Sequence, residues 1–410
     1  MSTKHIRNRK IVLAFSGGLD TCFVAKYLSE NGYEVHSLFL YSGKIEKGEL
    51  ERIASLAREV GVKSHKAWDI SREYYQQCIR YLIAGNVLRN GTYPLSVSSE
   101  RYFQAYQVAR YARKIKAEAV AHGSTGAGND QVRFDTVLSV LAPDLHILAP
   151  VRDHQYTREE EIDYLKNKGV NMNKQDHKYS LNEGLWGTSI GGDETLTSHL
   201  SITESVDQQT RPKENREVAL QFLAGECIGI DQQKFDDPVE VINLLNELGN
   251  NYGVGMDYHT GDTIIGEKGR IAFRAPAALM ILKSHHLLEK HTLTKPQLQW
   301  KDMIAQWYGN MLHEGLFMEP VMRDAESFLK STQQYVTGDV ILQLSHNAFT
   351  LKGIKSPYDL LQSSNHQYGE KYTGWDAEDV KGFIKIYSNA LKNFYSLHSE
   401  LIDHEGETKT

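Results

Sequence analysis

Short apolar runs alternate with helix-length stripes across the first 170 residues, and that alternation leaves few folds open. Ile11–Phe15 is apolar and stops at glycine, as a buried strand does. Phe23, Val24, Tyr27 and Leu28 then recur at helical spacing, with Gly32 as a stop. Val35–Leu40 predicts the next strand, and Ile53, Leu56, Ala57 and Val60 stripe a helix ended by Gly61. A helix over Tyr102–Ile115, a strand at Ala119–Ala121, a helix near Gln131–Leu141 and a strand at His146–Val151 follow. Strands separated by helices of this length imply βαβ units and a parallel sheet, the α/β class. Ligands of such sheets sit at the carboxyl ends of the strands, where Ser16 and His122 fall.

The second half has α+β character. Val218, Leu220 and Phe222 alternate as a strand with one wet face, and Val340–Leu344 with Phe349–Leu351 predicts an antiparallel hairpin. Ala277–His291 and Gln297–His313 are long helical patterns. The second sets Trp300, Ile304, Trp307, Tyr308 and Leu312 on one face, as core or as a subunit contact. His285-His286 has no partner at metal-ligand spacing. The polar run Asn171–Lys178 marks a boundary, giving residues 1–173 and 174–384, with 385–410 as a terminal helix and polar tail. That helix has an apolar stripe that fits another subunit or its own domain equally well.

A chain of 410 residues with 40 % apolar and 24 % charged residues buries ample core. A net charge of −6 argues against a nucleic-acid partner, whose phosphates need a basic surface. Cys22, Cys78 and Cys227 form no metal spacing, and so low a count suggests reduced thiols and a cytoplasmic setting. The apolar run after the basic N-terminus is too short for a signal peptide, and none approaches a membrane span.

The first strand ends in Ser16-Gly17-Gly18, with Asp20 and Thr21 opening a helix. Neither G-x-x-x-x-G-K-[ST] nor G-x-G-x-x-G occurs at a strand end. The glycines let backbone approach a ligand, and the helix start aims N–H groups at an anion. Ser16 and Thr21 add hydroxyls, and Asp20 orients the loop or meets magnesium. A plain tight turn is the alternative, disfavoured by the strand before and the helix behind.

"SGGLDT" resembles the signature loop of the N-type ATP pyrophosphatases, and "AFSGGLDTC" resembles the argininosuccinate synthase version of it. "AHGSTGAGNDQVRFD" from Ala121, "YSLNEGLWGTSIGG" from Tyr179, "IGEKGRIAFRAPA" from Ile265 and "FIKIYSNAL" from Phe383 are similar to further segments of that family, in order. The resemblance implies an adenine-nucleotide α-hydrolase-like domain, then a synthetase and multimerisation domain, assembled as a homotetramer. It implies a ligase in arginine biosynthesis that joins citrulline to aspartate with ATP as substrate, and with Mg2+. The ureido oxygen attacks the α-phosphate and expels pyrophosphate, and the aspartate amine then displaces AMP.

Matched residue by residue, the resemblance places ATP on Ala14, Phe15, Ser16, Gly17, Gly18, Leu19, Asp20, Thr21, Cys22, Leu40 and Gly123. It places aspartate on Thr125, Asn129 and Asp130, with Asp130 pairing the substrate ammonium. It places citrulline on Tyr93, Ser98, Asn129, Arg133, Ser180, Ser189, Gly261 and Phe273, with Arg133 forking a carboxylate. Asp20, Asp130 and Arg133 are the expected catalytic residues. His122 stays open as a phosphate contact. The citrulline side departs from the pattern: glycine stands at Gly261 for a glutamate (one residue on, Asp262 restores an acid), and Phe273 stands for a tyrosine. Ser96-Val97-Ser98 replaces G-T-S, and Ala127 replaces a lysine. An N-acylated citrulline is therefore an alternative acceptor. A tRNA-modifying pyrophosphatase or a non-catalytic nucleotide-binding regulator are alternatives of other classes. The first needs basic surface and paired cysteines, and the second would bind ATP without releasing pyrophosphate.

Overall fold

Five parallel strands build the first sheet: β1 (Arg9–Ala14), β2 (Tyr33–Tyr41), β3 (Ser64–Asp69), β4 (Ala119–Ala121) and β5 (His146–Leu148). Their order is β3-β2-β1-β4-β5. Ile11, Val12 and Leu13 are fully buried because both faces of the sheet are covered. Ile11 and Leu13 pack with residues of helices Leu19–Glu30 and Arg158–Asn167, whereas Val12 joins the larger core on the other face. The order reverses between β1 and β4, and a crevice opens there at the strand ends. The loops after these two strands carry Ser16 and His122.

The computed structural model describes residues 9–172, 179–202, 212, 214–363, 374–399 and 401. Most of the predicted boundary run, residues 173–178, lies outside them. Two differences from the predicted elements have local causes. Strand β3 has a polar sequence and was not predicted; as an edge strand it has one neighbour and little of it is covered. The strand expected at His146–Val151 stops at Leu148, because Pro150 opens helix Pro150–His154.

The second half adds two antiparallel sheets. Strands β6 (Ser180–Gly184) and β7 (Gly187–Gly191) belong to one, and β8 (Arg216–Leu223), β9 (Glu226–Ile230) and β10 (Gln233–Lys234) to the other. Next come β11 (Met256–Asp262), β12 (Lys268–Arg274), β13 (Gly338–Ser345) and β14 (Ala348–Lys355). The orders are β10-β9-β8-β13-β14 and β11-β12-β7-β6. The predicted hairpin is β13–β14, and Val218, Leu220 and Phe222 are the buried side of β8. The predicted helices span Pro276–Thr292 and Lys295–His313. On the second, Tyr308 and Leu312 are core, but Trp300 is 61 % exposed and is not. His285 is fully buried, with Nδ1 on Asn86 Oδ1 at 2.6 Å and Nε2 on Gln333 Oε1 at 2.8 Å. The neighbouring Lys301–Glu289 ion pair, at 2.8 Å, is buried too.

All of this lies in one unit, residues 1–358; residues 359–410 form another. The latter holds helices Leu360–Ser363, Ala377–Tyr387 and Asn389–Leu397. Asp376 caps the second of these by accepting from the Glu378 and Asp379 amides. The division expected at 384/385 falls inside that helix. Neither of the last two helices buries a residue, and Phe383, Ile386, Tyr387 and Leu397 are all exposed. Among the described residues no helix is long and apolar enough to cross a membrane.

Candidate active site

The switch point of the parallel sheet opens into a cleft of about 450 Å³. The turn after β1 supplies one wall. Gly17 has φ +76°, a conformation that suits glycine, and Gly18 precedes the helix with no side-chain cap. Thr21 Oγ1 donates to the Gly18 carbonyl at 3.1 Å. Ser16 Oγ accepts from the Gly18 amide at 3.3 Å and donates to Thr21 Oγ1 at 3.2 Å. Both hydroxyl protons, expected to reach a phosphate, are thus spent inside the turn. What remains for an anion is the row of first-turn amides that every helix start leaves without a partner.

The loop after β4 presses on this helix start. A Cβ at Gly123 would lie 3.1 Å from the Asp20 carbonyl carbon, the Thr21 nitrogen and Thr21 Cγ2. His122 is buried behind the loop. Its Nδ1 accepts from the Ser124 amide at 3.2 Å, so its proton is on Nε2, which donates to Asp135 Oδ1 at 2.8 Å. Arg152 holds the other oxygen of Asp135 at 2.6 Å. With both nitrogens engaged, His122 shapes the loop and offers no nitrogen to a ligand, which answers the question the sequence left open.

Helix Asp130–Leu141 starts at the cleft, and its first acid sits between two arginines. Asp130 Oδ2 accepts from Arg101 Nε at 2.8 Å and Oδ1 accepts from Arg133 Nη1 at 2.9 Å. Against the cost of burial, these two charges hold the carboxyl down at about 2. Arg133 also gives Nε to the His313 carbonyl at 2.9 Å and Nη2 to His313 Nδ1 at 3.1 Å. Three of its five N–H groups are taken, which leaves one on each terminal nitrogen. Asn129 Oδ1 accepts from the Ile264 amide at 2.8 Å, tying this loop to the segment after β11.

The sheet β11-β12-β7-β6 closes the cleft with Ser180, Asn182, Ser189, His259 and Gly261. Segment Gly85–Gly91 lines a second cavity of about 610 Å³, and its Arg89 borders both. Tyr93 is buried, with its ring 5.1 Å from His259 in a stack.

The cleft brings together Ala14, Phe15, Ser16, Asp20, Thr21, Leu40, Gly123, Thr125, Asn129 and Asp130. Tyr93, Ser98, Arg133, Ser180, Ser189 and Gly261 join them. Gly17 and Gly18 shape the turn without lining the cleft. Two expected residues point away: Leu19 and Cys22 are core side chains, and burial pushes the Cys22 thiol up to about 12. Phe273 shares a sheet face with its strand partner Ser189, but it is fully buried against Tyr93, ring centroids 5.3 Å apart, and does not line the cleft. Arg89, Arg101, Asn182, His259 and His313 line the cleft and were missed. They come from five separate segments, and only the fold juxtaposes them. Glu161 was also missed: it is 1 % exposed, and burial together with the Asp20 carboxylate raises its pKa, so it keeps a proton beside Asp20.

Among the described residues no three His, Cys, Asp or Glu side chains cluster as metal ligands. The described residues thus form no protein-built magnesium cage.

A parallel sheet whose switch point holds a glycine turn on a helix start is the architecture of a nucleotide-binding α/β domain. Residues 10–171 match the family model described as the arginosuccinate synthase N-terminal HUP domain, and residues 179–394 match the arginosuccinate synthase C-terminal domain. Curated proteins named argininosuccinate synthase align over most of the chain. That of Methanocaldococcus jannaschii is 36 % identical over 384 residues, 92 % of this chain and 96 % of its own. That of Xylella fastidiosa is 36 % identical over 393 residues, covering 93 % and 96 %. That of Staphylococcus saprophyticus is 34 % identical over 402 residues, covering 97 % and 99 %. The chain belongs to the arginosuccinate synthase family.

Proposed function

We propose that this ligase uses ATP to join the ureido carbon of a citrulline to the amine of aspartate, giving argininosuccinate, AMP and pyrophosphate. The observation that carries the reading is the single cleft in which the Ser16–Thr21 turn, the Thr125–Arg133 segment and the Ser180 and Ser189 strands meet. The first-turn amides grip the pyrophosphate half of ATP, while Leu40 and Gly123 line the rest of its seat. Thr125, Asn129 and Asp130 receive aspartate. Each oxygen of Asp130 has a lone pair left beyond its arginine, so its charge can still meet an ammonium. Tyr93, Ser98, Ser180 and Ser189 line the citrulline side.

A urea is a poor electrophile because its nitrogen lone pairs feed the carbonyl. Attack of its oxygen on the α-phosphate breaks the bond to pyrophosphate and makes a citrullyl-adenylate. The aspartate amine then adds at the activated carbon, loses a proton and expels AMP. Positioning and charge stabilisation suffice, and no covalent nucleophile is needed. Asp20, held beside the protonated Glu161, orients the turn. Mg2+ is proposed to arrive on the ATP phosphates, and no step is assigned to it.

Residues 1–173 hold ATP in this reading, and residues 174–384 complete the site. The bare apolar faces of helices Ala377–Tyr387 and Asn389–Leu397 take a further copy in a homotetramer. The enzyme works in the cytoplasm, where its three buried cysteines stay reduced. Pyrophosphate release tests the reading: it should require ATP, aspartate and a citrulline together. ATP binding with no release in any combination would favour the regulator instead.

A further inference from the structure

Buried polar atoms without a partner gather in one part of the cleft. Among the described residues Arg89 Nε and Nη1, His313 Nε2 and His259 Nδ1 all stand so, and all three residues line the cleft. Arg89 donates Nη2 to the Asp262 carbonyl at 3.0 Å. That nitrogen carries a second N–H, so one edge of the guanidinium still presents two donors. His313 Nδ1 accepts from Arg133 Nη2 at 3.1 Å. Burial, then the Arg133 charge, hold the His313 pKa down at about 2, so the ring is neutral and its one proton is on Nε2. These groups belong to the citrulline side. The Arg89 amide donates to the Tyr93 carbonyl at 2.8 Å, and the His259 ring stacks on that of Tyr93. Arg89, His259 and His313 stand outside the residues that the resemblance assigns to any substrate.

Arg133 has the Asp130 carboxylate at 2.9 Å. Arg89 has no such contact: burial and then the Arg133 charge press on its guanidinium, and the Glu314 and Asp262 carboxylates offset them only in part. A buried cation with open donors is costly, and an oxyanion relieves that cost. Citrulline carries one oxyanion, its α-carboxylate; its ureido oxygen is neutral and has to stay free to attack. The α-ammonium keeps an acid within the same cleft. Asp262 lines it, and the pair that Asp262 makes with Lys268 is exposed and readily exchanged.

We propose that Arg89 selects the acceptor by its α-carboxylate: the open edge of the guanidinium takes that carboxylate, and His313 Nε2 donates to the same group. The inference rests on the synthase reading. Anchoring this end of citrulline fixes where its ureido end can lie, and adenylation depends on that placement. His313 and Arg133 tie the seat to Asp130, so the acceptor and aspartate sites share one hydrogen-bonded wall.

The test measures pyrophosphate release by the full chain with ATP, magnesium, aspartate and L-citrulline. N-carbamoylputrescine, which is citrulline without its carboxylate, is added as an inhibitor, so that it need not turn over. In the parent its inhibition constant should exceed the citrulline KM about tenfold or more. Arg89→Gln should raise the citrulline KM about tenfold while the inhibition constant and the KM for aspartate stay within about threefold, with partial recovery in Arg89→Lys. Equal constants in the parent overturn the proposal and leave the synthase intact. So does an unchanged citrulline KM in Arg89→Gln, an equal rise for both molecules, or a rise in the aspartate KM alone. No release by the parent with citrulline overturns the synthase reading itself.

Discussion

Gly123 offers the sharpest structural test of how the ATP seat is assembled. Its backbone angles suit any residue, so alanine there adds no conformational strain; the whole effect is contact. The new Cβ would stand 3.1 Å from two backbone atoms of the Asp20–Thr21 segment and from Thr21 Cγ2. Carbon contacts settle at about 3.5–4.0 Å, so the loop or the helix start must retreat by about half an ångström. Overpacking of this kind costs about 1–3 kcal/mol. Where that cost is met by moving the loop off the turn, kcat/KM for ATP falls about 5- to 150-fold, since about 1.4 kcal/mol is a factor of ten. Gly126 is the control, because its Cβ would find only Arg152 Cγ at 3.7 Å. Steady-state pyrophosphate release with varied ATP decides the matter. Gly123→Ala within twofold of the parent, or Gly126→Ala equally impaired, would refute the idea that the two loops are fitted to each other at van der Waals distance.

Two further outcomes follow from the charges. Glu161 binds its proton more tightly in the folded protein than in the unfolded chain, so stability declines as pH rises above the ordinary carboxylate range toward the raised native pKa. Glu161→Gln should remove that decline, and thermal midpoints across pH 5–8 would show the variant gaining on the parent as pH rises; parallel curves would contradict it. Asp130 is held down at about 2, so its contribution to stability is present above its ordinary value near 3.8 and is lost only as pH falls through about 2. Asp130→Asn leaves Arg101 and Arg133 without their shared anion and should raise the KM for aspartate at least about tenfold with a lowered thermal midpoint.

Much of the fold is legible in the chain because buried parallel strands and their helices leave unmixed patterns. Ile11–Leu13 and Ala119–Ala121 are apolar throughout since both faces of their sheet are covered. The edge strand Ser64–Asp69 leaves no such pattern, for an edge needs little cover. The site was legible where it is local: a turn needs its glycines in sequence, and Thr125, Asn129 and Asp130 lie within one loop and helix start. Arg89, His259 and His313 come from different segments, with nothing in the local sequence to mark them. A motif fixes the backbone and not which way each side chain turns: the Cys22 side chain is in the core and the Phe273 ring is buried against Tyr93. Phe273 still bears on the cleft through the Tyr93 ring it supports.

The central claim is that the ureido oxygen of the acceptor attacks the α-phosphate and leaves with AMP. The most direct measurement uses an acceptor labelled with 18O in the ureido group, with ATP, magnesium and aspartate, and mass spectrometry of the AMP released. The account predicts one labelled oxygen in each AMP formed during turnover. Unlabelled AMP formed alongside ligated product would contradict it.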